Sequence, residues 1–199
     1  MLLLLIARNW NAQGYRGDYE EWSIEISAGL NKPYHTMTSG YGTSNSNLFH
    51  IDLGTRHTIT PYIGIEADFG FDAFNNKPNT PVFNSNYIRF DIQAVCDLGY
   101  TLRIYDNAKP IGILVHSGFG VSQLRSDFST NKDRMGNFIF GLTGTLKIAK
   151  DIALSCDLSS LMHFTQNSTF DGRTESYPSK NFAGNLLNSS LGIIYFFRK

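Results

Sequence analysis

Apolar and polar residues alternate along most of the chain. In the stretch NLFHIDLGTRHTI, at residues 47–59, Phe, Ile and Leu occupy one parity while His, Asp, Gly and Arg occupy the other. Successive side chains of a strand point to opposite faces, so this period of two predicts a strand with one apolar and one polar face. The apolar face would point inward in a soluble barrel and toward lipid in a membrane barrel.

Eight segments of this kind follow one another from Trp22 to the end of the chain. They cover residues 22–31, 47–59, 62–73, 87–99, 111–123, 137–148, 152–164 and 187–197. Strands of roughly ten or more residues are longer than the usual strand of a soluble domain and are close to the length that crosses a bilayer at a tilt. The pattern therefore predicts about eight membrane-crossing strands.

The connections between these segments differ in length. Residues 60–61 and 149–151 are tight turns, 99–110 is intermediate, and 32–46, 73–86, 124–136 and 165–184 are long. Long loops at one rim and short turns at the other are typical of outer-membrane barrels. We predict an all-β fold over residues 22–199, an eight-stranded antiparallel up-and-down transmembrane β-barrel with long outer loops and short periplasmic turns. Both termini would be periplasmic.

Composition supports strands and argues against a nucleic-acid partner. Lys plus Arg equals Asp plus Glu, 17 against 17, so no net charge attracts a polyanion. Charged residues make up 17 % of the chain, which is low for a soluble domain, and aromatic residues reach 14 %.

The chain opens with MLLLLIARNWNAQG, a short apolar run followed by small residues. We interpret residues 1–13 as a signal peptide and residues 14–21 as a periplasmic N-terminal tail. The alternative is a buried N-terminal strand, which the polar residues Arg8, Asn9 and Asn11 disfavour. An exported chain of this pattern is expected in the outer membrane of a Gram-negative bacterium.

The polar parity predicts a charged network inside a narrow barrel, where side chains rather than a water column fill the lumen. Its acidic excess predicts trapped waters, with cations as further candidates for balancing the charge. The predicted members are Glu25, Asp52, Arg56, Glu66, Asp68, Arg89, Asp91, Asp97, Lys147 and Asp157.

Aromatic residues near the ends of the segments are candidates for the membrane interface, where ring systems lie at the level of the headgroups. The predicted interface aromatics are Trp22, Tyr62, Tyr87 and Tyr195.

Metal, disulfide and cofactor chemistry find little support. Cys96 and Cys156 lie on the apolar parity of non-adjacent segments, so we expect neither a disulfide nor a metal site there. His50 and His116 fall on the lumen parity, where hydrogen-bonded histidines are commoner than metal ligands. No metal and no cofactor is predicted.

With the strands in place, several short stretches resemble the N-terminal barrel of OmpA-family outer-membrane proteins. They are GLNKP at 29–33, HIDLGTR at 50–56, DFGFDAF at 68–74, SQLRSD at 122–127, DRMGN at 133–137 and TFDG at 169–172. The resemblance implies an outer-membrane anchor that presents loops to the outside. In that family a peptidoglycan-binding domain commonly follows, so peptidoglycan contact is expected only if such a domain exists.

Function then depends on the outer loops. The expected partners are outer-membrane lipid, lipopolysaccharide and other envelope or surface proteins. An enzyme would need convergent chemistry from Asp127, Asp133, His163 and Asp171, but no GxSxG motif accompanies them, and we predict no enzyme. The alternatives are a soluble lipocalin-like periplasmic binding barrel and a small outer-membrane pore.

Overall fold

The computed structural model describes residues 21–34, 37–43, 49–102, 110–173 and 184–197. The predicted signal peptide and all of the predicted tail except Glu21 lie outside these residues. The elements are β1 Trp22–Tyr34, β2 Phe49–Thr60, β3 Ile63–Asn75, β4 Asn84–Asp97, α1 Leu98–Thr101, β5 Ile111–Ser126, β6 Ser129–Lys147, β7 Ile152–Phe164 and β8 Asn185–Phe197. The described residues contain no helix whose length and apolar character would let it cross a bilayer.

The eight strands form one closed antiparallel barrel in chain order. Closure comes from β1 and β8, which pair from Trp22 opposite Phe197 to Tyr34 opposite Asn185. We call the end with Trp22 and Phe197 the lower rim and the end with Tyr34 and Asn185 the upper rim. The predicted up-and-down barrel is confirmed.

Side chains alternate between outside and inside along the strands. In β2, Phe49, Ile51 and Leu53 are exposed on the outer wall, while His50 is buried in the lumen and Asp52 is half-buried. The apolar parity therefore faces outward, as a transmembrane barrel requires. The soluble lipocalin-like alternative would need the apolar parity to face inward.

One connection differs clearly from the predicted layout. The predicted loop at 124–136 is instead a hairpin with a turn of two residues, 127–128, because β5 and β6 continue upward and stay paired. The inward side chains of Leu124 and Met135 stabilise this extension, since both are buried. At the lower rim, the connection that begins with α1 runs over residues 98–110 and is longer than the tight turn at 61–62.

The lumen contains three layers. At its upper end lies an apolar cluster that we call the upper plug. Its members are Phe74, Phe83, Tyr87, Leu124, Met135, Ile139, Leu161, Phe170 and Leu186. The polar layer, which holds the charged side chains described below, lies beneath it. Near the lower rim the buried apolar residues Val95, Leu114, Ala153 and Ile194 form a floor.

Candidate functional site: a layered lumen inside an apolar wall

Arg89 is the centre of the polar layer. Its guanidinium lies 2.5 Å from Asp52, 2.6 Å from Asp91 and 3.3 Å from Asp68. The strands β2, β3 and β4 supply these groups because each residue falls on the inward parity of its strand. One buried cation thus holds three carboxylates from three adjacent strands, which fixes their register.

A second cation joins the strands below. The Nε of Arg56 donates to Glu66 at 2.7 Å, and a terminal guanidinium nitrogen lies 3.7 Å from Glu25. Ser155 on β7 donates its hydroxyl to Glu25 at 2.5 Å. This contact passes over β8 and ties β7 directly to β1.

Two histidines complete the layer. The ring nitrogens of His50 lie 2.5 Å from Asp52 and 2.7 Å from Asp72. His116 lies between Gln93, at 2.6 Å, and Asp157. Asp72 was missing from the predicted network, although its inward parity in β3 was a usable signal.

Negative charge exceeds positive charge in this layer. The carboxylates are Glu25, Asp52, Glu66, Asp68, Asp72, Asp91 and Asp157, whereas the arginines of this layer are Arg56 and Arg89. A polar cavity of about 40 Å³ lies between them, which is room for about three water molecules. One oxygen of Asp68 has no hydrogen-bond partner among the described residues and borders this cavity.

Two predicted members lie at the lower rim. Asp97 is the last residue of β4 and Lys147 is the last residue of β6. Lys147 is exposed, and its ammonium lies 5.3 Å from the ring centroid of Phe196. Inward parity thus places a side chain inside the barrel only where the strand is still enclosed.

The predicted interface aromatics divide into two groups. Trp22, Tyr62 and Tyr195 are exposed at the lower rim. The prediction for Tyr87 was wrong, because this side chain is fully buried in the upper plug. Tyr87 shares the inward parity of Arg89, and that parity decides its side.

A hydrogen bond anchors Tyr87 inside the plug. The Nδ1 of His163 lies 3.0 Å from the carbonyl oxygen of Gly184, so Nδ1 carries the proton and Nε2 accepts from the Tyr87 hydroxyl at 2.6 Å. Phe170 packs against both rings, with centroids at 6.1 and 5.5 Å. His163, one of the loop residues weighed for catalysis, therefore belongs to the lumen.

The carboxylates weighed for catalysis hold the outer loops instead. Asp133 accepts hydrogen bonds from the backbone N–H groups of Asn167 and Ser168 at 2.8 and 2.7 Å. Asp171 accepts from the backbone N–H of Thr38 at 2.8 Å. These bonds fasten the loop at 165–173 over the plug.

Loop contacts form an ordered outer cap. The guanidinium of Arg173 lies 4.7 Å from the ring centroid of Tyr41 and 4.9 Å from that of Phe128. Thr43 forms an isolated bridge with Asn76, so the first two outer connections also meet. Among the described residues no group of three or more His, Cys, Asp or Glu side chains could hold a metal ion. Both cysteines are free thiols.

Comparison with known proteins rests on structure. No protein-family model matches the chain, and no curated protein matches it. Neisserial surface protein A (NspA) matches with a TM-score of 0.60 at 10 % identity, over 89 % of this chain and 97 % of that one. The fold is that of outer-membrane eight-stranded barrels.

Two further solved structures agree. A major outer membrane protein from Thermus thermophilus matches with a TM-score of 0.54 at 11 % identity, over 88 % of this chain and 98 % of that one. Ail, the attachment invasion locus protein of Yersinia pestis, matches with a TM-score of 0.51 at 12 % identity, over 90 % and 100 % of the two chains. At these identities the likeness establishes the fold alone.

Proposed function

We propose that this chain is an outer-membrane β-barrel of a Gram-negative bacterium that anchors in lipid and presents its loops at the cell surface. The observation that carries the proposal is the outer wall. Large apolar side chains are exposed on every strand, among them Ile26, Phe69, Phe119, Leu158 and Leu191. A continuous apolar wall of this kind far exceeds the patches of a few hundred Å² that soluble monomers expose.

The barrel acts as an anchor and not as a pore. Nine buried apolar residues fill the upper lumen, and one of them, Phe170, comes from the loop at 165–173. Ions would have to cross this apolar layer without water or charged partners, which is energetically costly. The small-pore alternative therefore has no support from the geometry.

The two rims support a proposed orientation. The upper rim carries the connections at 35–48, 76–83, 127–128 and 165–184 and the cap, whereas the lower rim carries both barrel ends and the connections at 61–62, 98–110 and 148–151. We place the upper rim outside the cell and the termini in the periplasm, as in other barrels with this layout. A barrel of the OmpA type is part of this proposal, and the closed eight-stranded fold is compatible with it.

The cap is the proposed interaction surface. Its loops are held by Asp133, Asp171 and the stacked Arg173, so they present a defined shape to other envelope or surface proteins and to lipopolysaccharide. No catalytic role is proposed, since the carboxylates of the cap bond to backbone. Contact with peptidoglycan would require a separate domain.

Membrane fractionation and gel mobility test the anchor. The full-length product is expected in the outer-membrane fraction, with a folded band that shifts when the sample is boiled. A soluble periplasmic protein without a shift would overturn the proposal.

Planar-bilayer recordings of the purified barrel test whether the lumen is closed, and we expect no steady conductance. Regular single-channel steps in the current would contradict the proposal that the lumen is closed.

Pull-down from envelope extracts tests the cap. Replacing residues 38–41 by a Gly-Ser linker should abolish capture of a surface partner and leave the heat-dependent mobility shift intact. The same replacement in the lower turn at 61–62 is the control, and equal capture by both variants would remove the interaction role.

A further inference from the structure

Charge on the outer wall has one sign and one location. On the outward parity of the described strands there is no Asp or Glu, and the Lys and Arg residues are Lys32, Arg125, Lys132 and Arg134. All four lie near the upper rim, and the remaining outward side chains of these strands are apolar or polar without a formal charge, with His57 at the lower rim as the one histidine among them. A membrane barrel whose outward charges are all basic at one rim is complementary to anionic groups in the leaflet at that rim.

Three of the four basic residues lie on one hairpin. Arg125 is on β5, and Lys132 and Arg134 are on β6, with Arg134 directly opposite Gln123. All three basic side chains are exposed. The pairing of β6 with β7 ends at Gly136 opposite Phe164, so the cluster lies near the upper rim, above the point where β6 loses this neighbour.

An apolar groove adjoins the cluster on the outer wall. It has a volume of about 450 Å³, within the range of small-molecule pockets. Its lining includes Ile88, Phe90, Val121, Arg134, Gly136 and Thr165. Arg134 therefore lines the groove and is also a member of the basic cluster.

The groove exists because Gly136 has no side chain. Gly136 is on the outward parity two residues below Arg134, and a Cβ built there would have its nearest neighbours at 3.9 and 4.0 Å, Phe164 and the carbonyl oxygen of Gly120. A larger side chain would enter the groove without a clash. The surrounding Phe90 and Val121 form apolar walls.

We propose that this groove binds a phosphate-bearing lipid of the outer leaflet, the lipid A portion of lipopolysaccharide. One acyl chain occupies the groove, and a phosphate accepts hydrogen bonds from Arg134 with Arg125 and Lys132 nearby. Guanidinium groups match phosphate oxygens in geometry and charge. The proposal rests on the outer-membrane location and on the outward orientation of the upper rim proposed above.

An apolar groove that opens on the lipid-facing wall suits an acyl chain better than a protein segment. Backbone polar groups of an extended protein segment would remain unsatisfied there, whereas an acyl chain has none. The adjacent basic cluster then favours a lipid whose phosphates give it a net negative charge over a zwitterionic lipid.

Native mass spectrometry of the full-length barrel in dodecyl maltoside micelles tests the site, with purified diphosphoryl lipid A as the probe. Arg134→Gln is expected to weaken binding about fivefold, the effect of one basic residue near an anionic headgroup. Lys32→Gln is the matched control, since Lys32 is also basic, outward and near the upper rim, but on β1. An equal loss in both variants, or no loss in Arg134→Gln, would overturn the proposal.

A second pair of variants tests the groove. Gly136→Leu fills it and should lower lipid A binding, whereas Gly144→Leu adds the same side chain at an open outward position lower on β6. Inorganic phosphate at millimolar concentration should not displace lipid A, because it cannot occupy the groove. Displacement by phosphate alone, or equal effects of the two glycine variants, would show that the groove holds no acyl chain.

The mobility shift on boiling is measured for every sample. A folded barrel whose lipid A binding does not depend on Arg134 and Gly136 would refute the site and leave the anchor proposal standing. A chain that never enters membranes would refute the anchor itself.

Discussion

The polar layer and the upper plug are buried in the same barrel, but different forces hold them. In the polar layer, Arg89 bonds to three carboxylates, and removal of one partner leaves charge behind. In the plug, Phe74, Tyr87 and Phe170 make edge contacts that need no fixed partner. The first layer fixes strand register, whereas the second seals the lumen.

The difference teaches how a narrow barrel divides its interior. Polar side chains facing one another across the lumen satisfy each other only while strands enclose them, and the excess of carboxylates requires water in the cavity. Apolar side chains at the upper rim keep bulk water from entering from that side. The two layers therefore depend on each other, and substitutions in each should have distinguishable effects.

The largest effect is expected from Arg89→Met. The substitution leaves Asp52, Asp68 and Asp91 without their cation, and breaking a buried ion pair costs about 3–5 kcal/mol. Urea unfolding in detergent, followed by tryptophan fluorescence, measures the free energy of unfolding. Adding Asp52→Asn and Asp91→Asn should restore more than half of the loss. If it restores nothing, Arg89 acts through packing and the contrast between the layers fails.

A smaller loss is expected from Phe170→Ala in the plug. Phe170 is fully buried against Phe74, Tyr87 and His163, and such truncations cost about 3 kcal/mol where a loop can partly collapse into the space. The same urea titration measures it. Val82→Ala is the control, because Val82 is 78 % exposed, and its effect should stay within about 0.5 kcal/mol. Equal effects would mean that the plug does not stabilise the barrel.

Crowding in the polar layer should appear with Gly120→Ala. A Cβ at Gly120 would collide with the Asp91 carboxylate and with the carbonyl oxygen of Phe90, so we expect a loss of about 2 kcal/mol. Gly144→Ala on the outer wall has open space and should change the free energy of unfolding by less than about 0.5 kcal/mol. If the two variants unfold at the same urea concentration, the side chains around Gly120 have more room than their distances in the structure indicate.

The smallest effect is expected from Tyr87→Phe. The variant keeps the ring and removes the hydroxyl that donates to His163, which costs about 1 kcal/mol. Tyr195→Phe, at the exposed lower rim, should be neutral in the same titration. An unchanged stability of Tyr87→Phe would show that the plug needs only apolar packing there.

Much of the fold could be predicted from the alternation of apolar and polar residues within single strands. The outward Phe49 and Leu53 and the inward Arg89 and Asp91 all lie on the predicted faces, because a period of two needs no knowledge of neighbouring strands. The partners of Arg89 were not predictable in this way. They depend on the register between β2, β3 and β4, which the alternation within a single strand does not specify.

The upper plug was missed for a related reason. Leu124 and Met135 fall in a stretch rich in Ser, Asp and Arg, which predicted a loop and concealed the hairpin. Phe74 and Leu186 lie on the polar parity at the upper ends of their strands, where they interrupt the alternation. Apolar residues on the inward parity at one rim were the available signal.

The seam between β1 and β8 joins the two ends of the barrel along its whole length, with Ile26 opposite Ile193 near its middle. Contacts so distant in sequence form late and slowly during folding, since most of the chain must already be in place. Once closed, the seam has no free edge from which strands can peel. The lifetime of the folded barrel is then governed by the rate at which this seam opens. Slow opening protects the protein even where its equilibrium free energy of unfolding is modest.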